Sequence, residues 1–170
     1  FGTELAAPMF RLTAPSASMA EKIRKGDRLI VSPLLLGTPK RGDIVAVRMT
    51  RAAREALDRK GPLAGIYRVI GLPGDYVIAL DGQLYICTRA PDILDGITED
   101  DGCEPRDEQP YVSSVMEDFG PIAVRQGQYL VLGDNRELID DSRAFGLIGE
   151  NAMVGRVIAT VWPLSRLGVR

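Results

Sequence analysis

The sequence predicts a mainly β protein built from antiparallel sheet, and three observations carry that prediction. The periodic segments are short and rich in β-branched residues. Gly, Pro or Asp bounds nearly every one of them, and only one stretch has a helical composition. In chain order the expected strands are DRLIV (27–31), DIVAVR (43–48), IYRVI (66–70), DYVIAL (75–80) and QLYIC (83–87). PIAVR (121–125), QYLVL (128–132) and MVGRVIATVW (153–162) follow. LDGQ at 80–83 suits a hairpin, because Asp-Gly tolerates the positive φ of a two-residue turn. The helix is TRAAREALDRK at 50–60, with Thr50 as its cap, alanines in its favour and Gly61-Pro62 as its stop.

One stretch departs from this pattern. From Cys87 to about Gly120 the chain is acidic and turn-rich, which predicts a solvated insertion or small cap. The expected organisation is a β-rich core from 1–86 and 121–170, interrupted by the insertion at 87–120. Within the insertion, DGITEDDGCE lacks the alternating Asp/Asn spacing of a calcium loop. Cys87 and Cys103 either bridge this excursion or stay as free thiols, and two cysteines alone do not decide between compartments.

Composition excludes several kinds of chemistry. The chain has 170 residues, 45% of them hydrophobic and 26% charged, which suits one sizeable globular core. A net charge of −2 gives no electrostatic case for nucleic acid or an anionic membrane surface as main partner. There is no histidine, so Ser-His-Asp and Cys-His triads are excluded, with most zinc sites. No metal and no cofactor are expected. No run approaches the roughly 18 apolar residues of a membrane span. The first residues, FGTELAAPMF, lack an initiator methionine, so the expectation is a chain trimmed of an N-terminal anchor.

Four segments concentrate the polar chemistry: APSASM (14–19), KRGDIVAVR (40–48), IYRVIGLPGD (66–75) and GDNRELIDDSRAFG (133–146). Singly each has an ordinary structural reading. APSASM is a Ser-rich turn before a strand, and Arg-Gly-Asp at 41–43 is a turn feeding a hairpin. In this order, however, they resemble the type I signal peptidase family, membrane-anchored serine proteases that remove signal peptides. The family's Pro-Ser-x-Ser-Met is matched by Pro15, Ser16, Ala17, Ser18 and Met19, and its next strand by Gly26, Asp27, Leu29 and Val31. RGDIVAV and RVIGLPGD (68–75) match without a gap. Gly133, Asp134, Asn135, Arg136, Asp141, Ser142, Arg143 and Gly146 fit the last family segment. The resemblance spans about 12–160 apart from the insertion.

That resemblance implies an antiparallel signal-peptidase catalytic core with a small inserted cap. It implies a serine endopeptidase with Ser18 as nucleophile and an oxyanion hole made by the Ser18 N–H and the Ser16 hydroxyl. Asp141 and Arg143 correspond to an ion pair that braces the site. The implied partner is an extended signal-peptide segment of a preprotein, added as a strand near 10–15 and 66–70 and selected for small side chains at Ala-x-Ala sites. The implied location is the outer side of the cytoplasmic membrane.

Three departures fall on the catalytic apparatus. The family's base is a lysine just before the arginine of RVIGLPGD, and Tyr67 stands there. A phenol with an unperturbed pKa of about 10 is a poor base near neutrality. The family serine that hydrogen-bonds that lysine is replaced by Ile139, whose side chain forms no hydrogen bond. Glu21 occupies a position that is usually proline. The candidate substitutes are Lys22, Lys25, Lys40 and Lys60, or Tyr67 itself if a cation such as Arg68 lowers its pKa. Two functional expectations follow: a working endopeptidase with an altered base, or an impaired relative that binds extended peptides as a recognition or assembly factor. SPLLLGTP (32–39) is either an apolar tip that dips into a bilayer or a cap on the core.

Overall fold

The structure, a computed structural model, describes residues 9–20, 22–33, 35, 37–57, 64–93, 96–97, 99–106 and 116–169. Its strands are β1 (Phe10–Thr13), β2 (Arg28–Ser32), β3 (Ile44–Arg48), β4 (Ala64–Gly71), β5 (Tyr76–Leu80) and β6 (Gln83–Cys87). β7 (Cys103–Arg106), β8 (Phe119–Ala123), β9 (Gln128–Leu132), β10 (Ile148–Gly149), β11 (Met153–Trp162) and β12 (Gly168–Val169) complete them. Two short helices, α1 (Arg51–Ala56) and α2 (Ser142–Phe145), lie between strands. The fold is mainly β, as the short β-branched segments predict.

Among the described residues all strand pairs are antiparallel. The larger sheet runs β1-β2-β11-β3-β4-β9-β10, with β12 on β11, and the smaller runs β7-β6-β5-β8. Three apolar clusters fill the space around these sheets. Met19, Ile23, Leu29, Val31 and Ile66 belong to the first, and Val45, Val47, Met49, Tyr67, Val69 and Val131 to the second. The third joins the two sheets through Ile70, Val77, Leu84, Leu130 and Leu132. β4 belongs to all three. Its near-continuous apolar run reflects burial of residues 65–71 on both faces.

Local chemistry sets the connections. LPGD folds as a turn in which the Asp75 N–H donates to the Leu72 carbonyl at 3.0 Å, while the Leu72 N–H donates to the Asp75 carboxylate at 2.6 Å. Gly74 has φ +98°, the conformation that the third position of a type II turn requires after proline. Asp81 and Gly82, at φ 52° and 74°, close the β5–β6 hairpin as predicted. Thr50 caps α1 by accepting from the Ala53 N–H at 3.1 Å. The described helix ends at Ala56, and residues 58–60 of the predicted helix lie outside the described residues.

The turn-rich stretch 87–120 also contains β7 and the start of β8, strands of the smaller sheet. Composition misses β7 because CEPR has one apolar residue and a proline. Its place as an edge strand accommodates both. Cys87 and Cys103 stand opposite each other in the β6–β7 ladder and form a disulfide, which resolves the two alternatives in favour of the bridge. Leu35 is 54% exposed, whereas Leu34 and Leu36 lie outside the described residues.

Candidate active site

The loop from Ala14 to Asp27 carries Ser16 and Ser18 and is closed at its base. The Ala14 N–H donates to the Asp27 carbonyl at 2.8 Å, and the Gly26 N–H to the Ala14 carbonyl at 2.9 Å. Met19 and Ile23 anchor the loop in the first cluster, and the Ile23 N–H donates to the Met19 carbonyl at 2.8 Å. The buried Asp27 carboxylate accepts from the Arg24 N–H at 2.9 Å and pairs with Arg166 at the other end of the chain.

Anchoring on both sides leaves Ser18 only 2% exposed and fixes its hydroxyl. The Ser18 Oγ lies 2.8 Å from the Ser16 Oγ and donates to the Ile66 carbonyl at 3.4 Å. The Ser18 N–H donates to the Ser16 Oγ at 3.4 Å, so the two expected oxyanion donors hold one another in this state. The structure brings Ser16 and Ser18 together.

Ile66 lies on the half of β4 that β9 does not cover. Pairing with β9 begins at Arg68, so among the described residues 64–67 carry no strand on that side. β1 is an edge strand. The backbone around Ser18 therefore includes two strand edges, the feature a peptide uses when it adds itself to a sheet.

The loop 133–141 closes the other side. The Asn135 N–H donates to the Ser18 carbonyl at 2.9 Å. A Cβ at Gly133 would stand 2.6 Å from that carbonyl oxygen, so only glycine permits the approach. Asp141 accepts from the Gly133 N–H at 3.0 Å and from Arg143 at 2.8 and 2.9 Å. Arg143 reaches on to the carbonyls of Arg136 at 2.9 Å and Leu138 at 2.7 Å. Asp141 and Arg143 thus tie together the segment that touches Ser18. Arg68 forms a bidentate pair with Asp134 at 2.8 and 2.6 Å, both side chains being buried. That pair joins β4 to the same loop and was not singled out in the sequence, although two opposite charges within strongly matched motifs are its signal.

Tyr67 occupies a different environment. It is 0% exposed and sits in the second cluster, with its ring edge-to-face against Phe145 at 5.6 Å. Its hydroxyl donates to the Asp140 carbonyl at 2.9 Å and has the Met49 Sδ at 3.8 Å. A phenol whose proton is given to a carbonyl must lose that proton before it can accept one from a serine. Among the described residues, neither Tyr67 nor a lysine is a hydrogen-bond partner of Ser18. Lys25 and Lys40 are exposed, Lys22 is half-buried, and Lys60 and Glu21 lie outside the described residues.

Gly65 explains how so large a ring fits on β4. A Cβ there would fall 2.4 Å from the Tyr67 ring. Ile139 is 46% exposed beside Leu138 at 38%.

The family model described as "Signal peptidase, peptidase S26" matches residues 5–162. A probable signal peptidase I-2 of Synechocystis sp. is 32% identical over 157 residues, covering 91% of this chain and 64% of its own. A signal peptidase I of Leptolyngbya laminosa is 34% identical over 159 residues, 91% of this chain and 69% of its own. One of Bacillus licheniformis is 34% identical over 154 residues, 88% and 75%. The chain therefore spans between 64% and 75% of the length of these relatives, less than two thirds of the first. Among solved structures, a signal peptidase I of Enterococcus faecalis V583 aligns with 70% of this chain and 96% of its own, at 28% identity and a TM-score of 0.48. With the family model covering nearly the whole chain, the protein belongs to the signal peptidase family, peptidase S26.

Proposed function

We propose that the chain is a signal peptidase I-like serine endopeptidase. In this reading it removes signal peptides at Ala-x-Ala sites on the outer face of the cytoplasmic membrane. The observation that carries the reading is the placement of the Ser18 hydroxyl. It is bound to the Ile66 carbonyl on the half of β4 that lacks a β9 partner, with the Ser16 hydroxyl 2.8 Å away. A peptide laid along residues 64–67 would bring its scissile carbonyl to Ser18. Attack by the Ser18 Oγ forms a tetrahedral centre. Its oxygen takes hydrogen bonds from the Ser18 N–H and the Ser16 hydroxyl in place of the bonds those groups now share. Cleavage of the C–N bond leaves an ester on Ser18, and the proton lost from the Ser18 hydroxyl ends on the departing amine; water then hydrolyses the ester, releasing the acid and restoring the Ser18 hydroxyl. Asp141 and Arg143 act as positioning residues for the loop that holds Ser18.

The membrane location and the preprotein substrate rest on family membership. No helix among the described residues is long and apolar enough to cross a membrane.

A second reading is favoured by Tyr67. With its hydroxyl donating to the Asp140 carbonyl and its ring packed against Phe145, this residue supplies no base, which suits a relative that binds peptides without turning them over. Cleavage of an Ala-x-Ala signal-peptide substrate separates the two. Under the endopeptidase reading the wild-type chain cleaves it and Ser18→Ala does not. A wild type that binds the peptide and leaves it intact establishes the second reading.

A further inference from the structure

Gly133 is packed against Ser18, and its backbone is held from both sides. Its N–H donates to the Asp141 carboxylate at 3.0 Å, and its carbonyl accepts from the Arg136 Nε–H at 2.7 Å. These two bonds fix a residue type with more backbone freedom than any other. Two residues on, the Asn135 N–H donates to the Ser18 carbonyl at 2.9 Å. The seat of Arg136 therefore bears on the backbone that touches the nucleophile.

Arg136 is 1% exposed, and among the described residues no fully buried side chain is larger. Beyond the Gly133 carbonyl, its guanidinium Nη1 donates to the Met116 Sδ at 3.1 Å. Met116 is itself buried and comes from the insertion at 87–120. It packs in the third cluster with Ile70, Val77 and Leu84, where the smaller sheet meets the larger. A thioether is a weak acceptor, so Met116 offers Arg136 chiefly a filled and shaped wall. Composition marks the insertion as a solvated excursion, yet through Arg136 one of its residues reaches the loop against Ser18.

We propose that Met116 is a positioning residue for Ser18. Through it the insertion seats Arg136 and so holds the Gly133–Asn135 backbone against the nucleophile. The inference rests on the reading of Ser18 as nucleophile and gives the insertion a part in that site. Removing the Met116 side chain leaves a cavity beside a buried cation, and the 133–135 backbone then opens more often.

The test reads hydrogen exchange at single amides by NMR in the wild type, Met116→Ala and Met116→Leu. The Val31 amide, in the first cluster, serves as reference for any loss of global stability. In Met116→Ala the Asn135 amide should exchange about tenfold faster, over and above the change at Val31. Met116→Leu refills the volume and should return the rate to within about threefold of the wild type. Met116→Val gives the same test with a smaller cavity, should Met116→Ala fail to fold. An Asn135 rate that rises no more than the Val31 rate overturns the proposal. So does a leucine variant as fast as the alanine variant, because filling the wall would then not seat Arg136. With an Ala-x-Ala substrate, Met116→Ala should lower kcat about tenfold and leave KM within about twofold, since the groove at 64–67 is untouched. An unchanged kcat in a chain that cleaves also overturns the proposal. A wild type that does not cleave removes the endopeptidase reading instead, and the exchange rates still decide whether the insertion holds the Ser18 loop.

Discussion

The two halves of the candidate site contrast in what they retain. On the nucleophile side the hydroxyl and its backbone are held by polar contacts, Ser16 to Ser18, Ser18 to Ile66 and Asn135 to Ser18, with Gly133 packed too closely for any side chain. On the side of Tyr67 a buried aromatic residue is wedged against Phe145, Met49 and the apolar side chains of β3 and β9, and Ile139 is substantially exposed. Both halves hang from the same frame, the Arg68–Asp134 pair and the Asp141–Arg143 fork. A frame can therefore hold its geometry while the chemistry on one side changes. The hydrogen bonds that shape a loop and those that move a proton are made by different atoms.

The frame offers the largest perturbation. Asp134→Ala leaves the Arg68 guanidinium buried with one partner lost, which should cost about 3–5 kcal/mol of folding stability by urea denaturation. A cost below about 1 kcal/mol, the range of an exposed pair, would mean that the two halves do not share this support.

A smaller effect isolates the base side. Gly65→Ala forces a methyl into the Tyr67 ring and should cost about 1–3 kcal/mol. Tyr67→Ala alone should cost about 3–5 kcal/mol, as for other buried aromatics. Together the two changes should cost less than their sum, with a coupling of at least about 0.5 kcal/mol, because removing the ring removes the clash. Additive costs would show that Gly65 serves something other than room for Tyr67.

The smallest effect concerns one hydrogen bond. Tyr67→Phe loses the bond to the Asp140 carbonyl and should cost about 1 kcal/mol. Any cleavage shown by the wild type should persist in this variant. Loss of cleavage with folding intact would return Tyr67 to candidacy as the base.

How much of this was legible in the sequence depended on whether the cause was local. The strands at 83–87, 128–132 and 153–162 fall where their β-branched runs place them, and the Asp81-Gly82 turn where its φ preference does. Ser18, Ser16, Asp141 and Arg143 were named from motif order, and the structure brings each serine and each member of the ion pair into contact. β7 was missed because its pairing with β6 supplies what CEPR lacks in propensity. The disulfide stayed open for the same reason, since only the ladder puts Cys87 opposite Cys103. Gly65 gave no signal. Its requirement arises from a ring two residues along the same strand face, and a glycine before a strand reads as a turn.

The most direct measurement of the central claim, that the base half limits an intact nucleophile half, is the cleavage rate of the paired variant Tyr67→Lys plus Ile139→Ser. The rate should exceed the wild-type value by about 10²-fold or more, the usual worth of a positioned general base, and should vanish when Ser18→Ala is added. A folded paired variant no faster than a wild type that already cleaves would contradict the claim, because the proton would then be leaving Ser18 by a route that does not pass through β4.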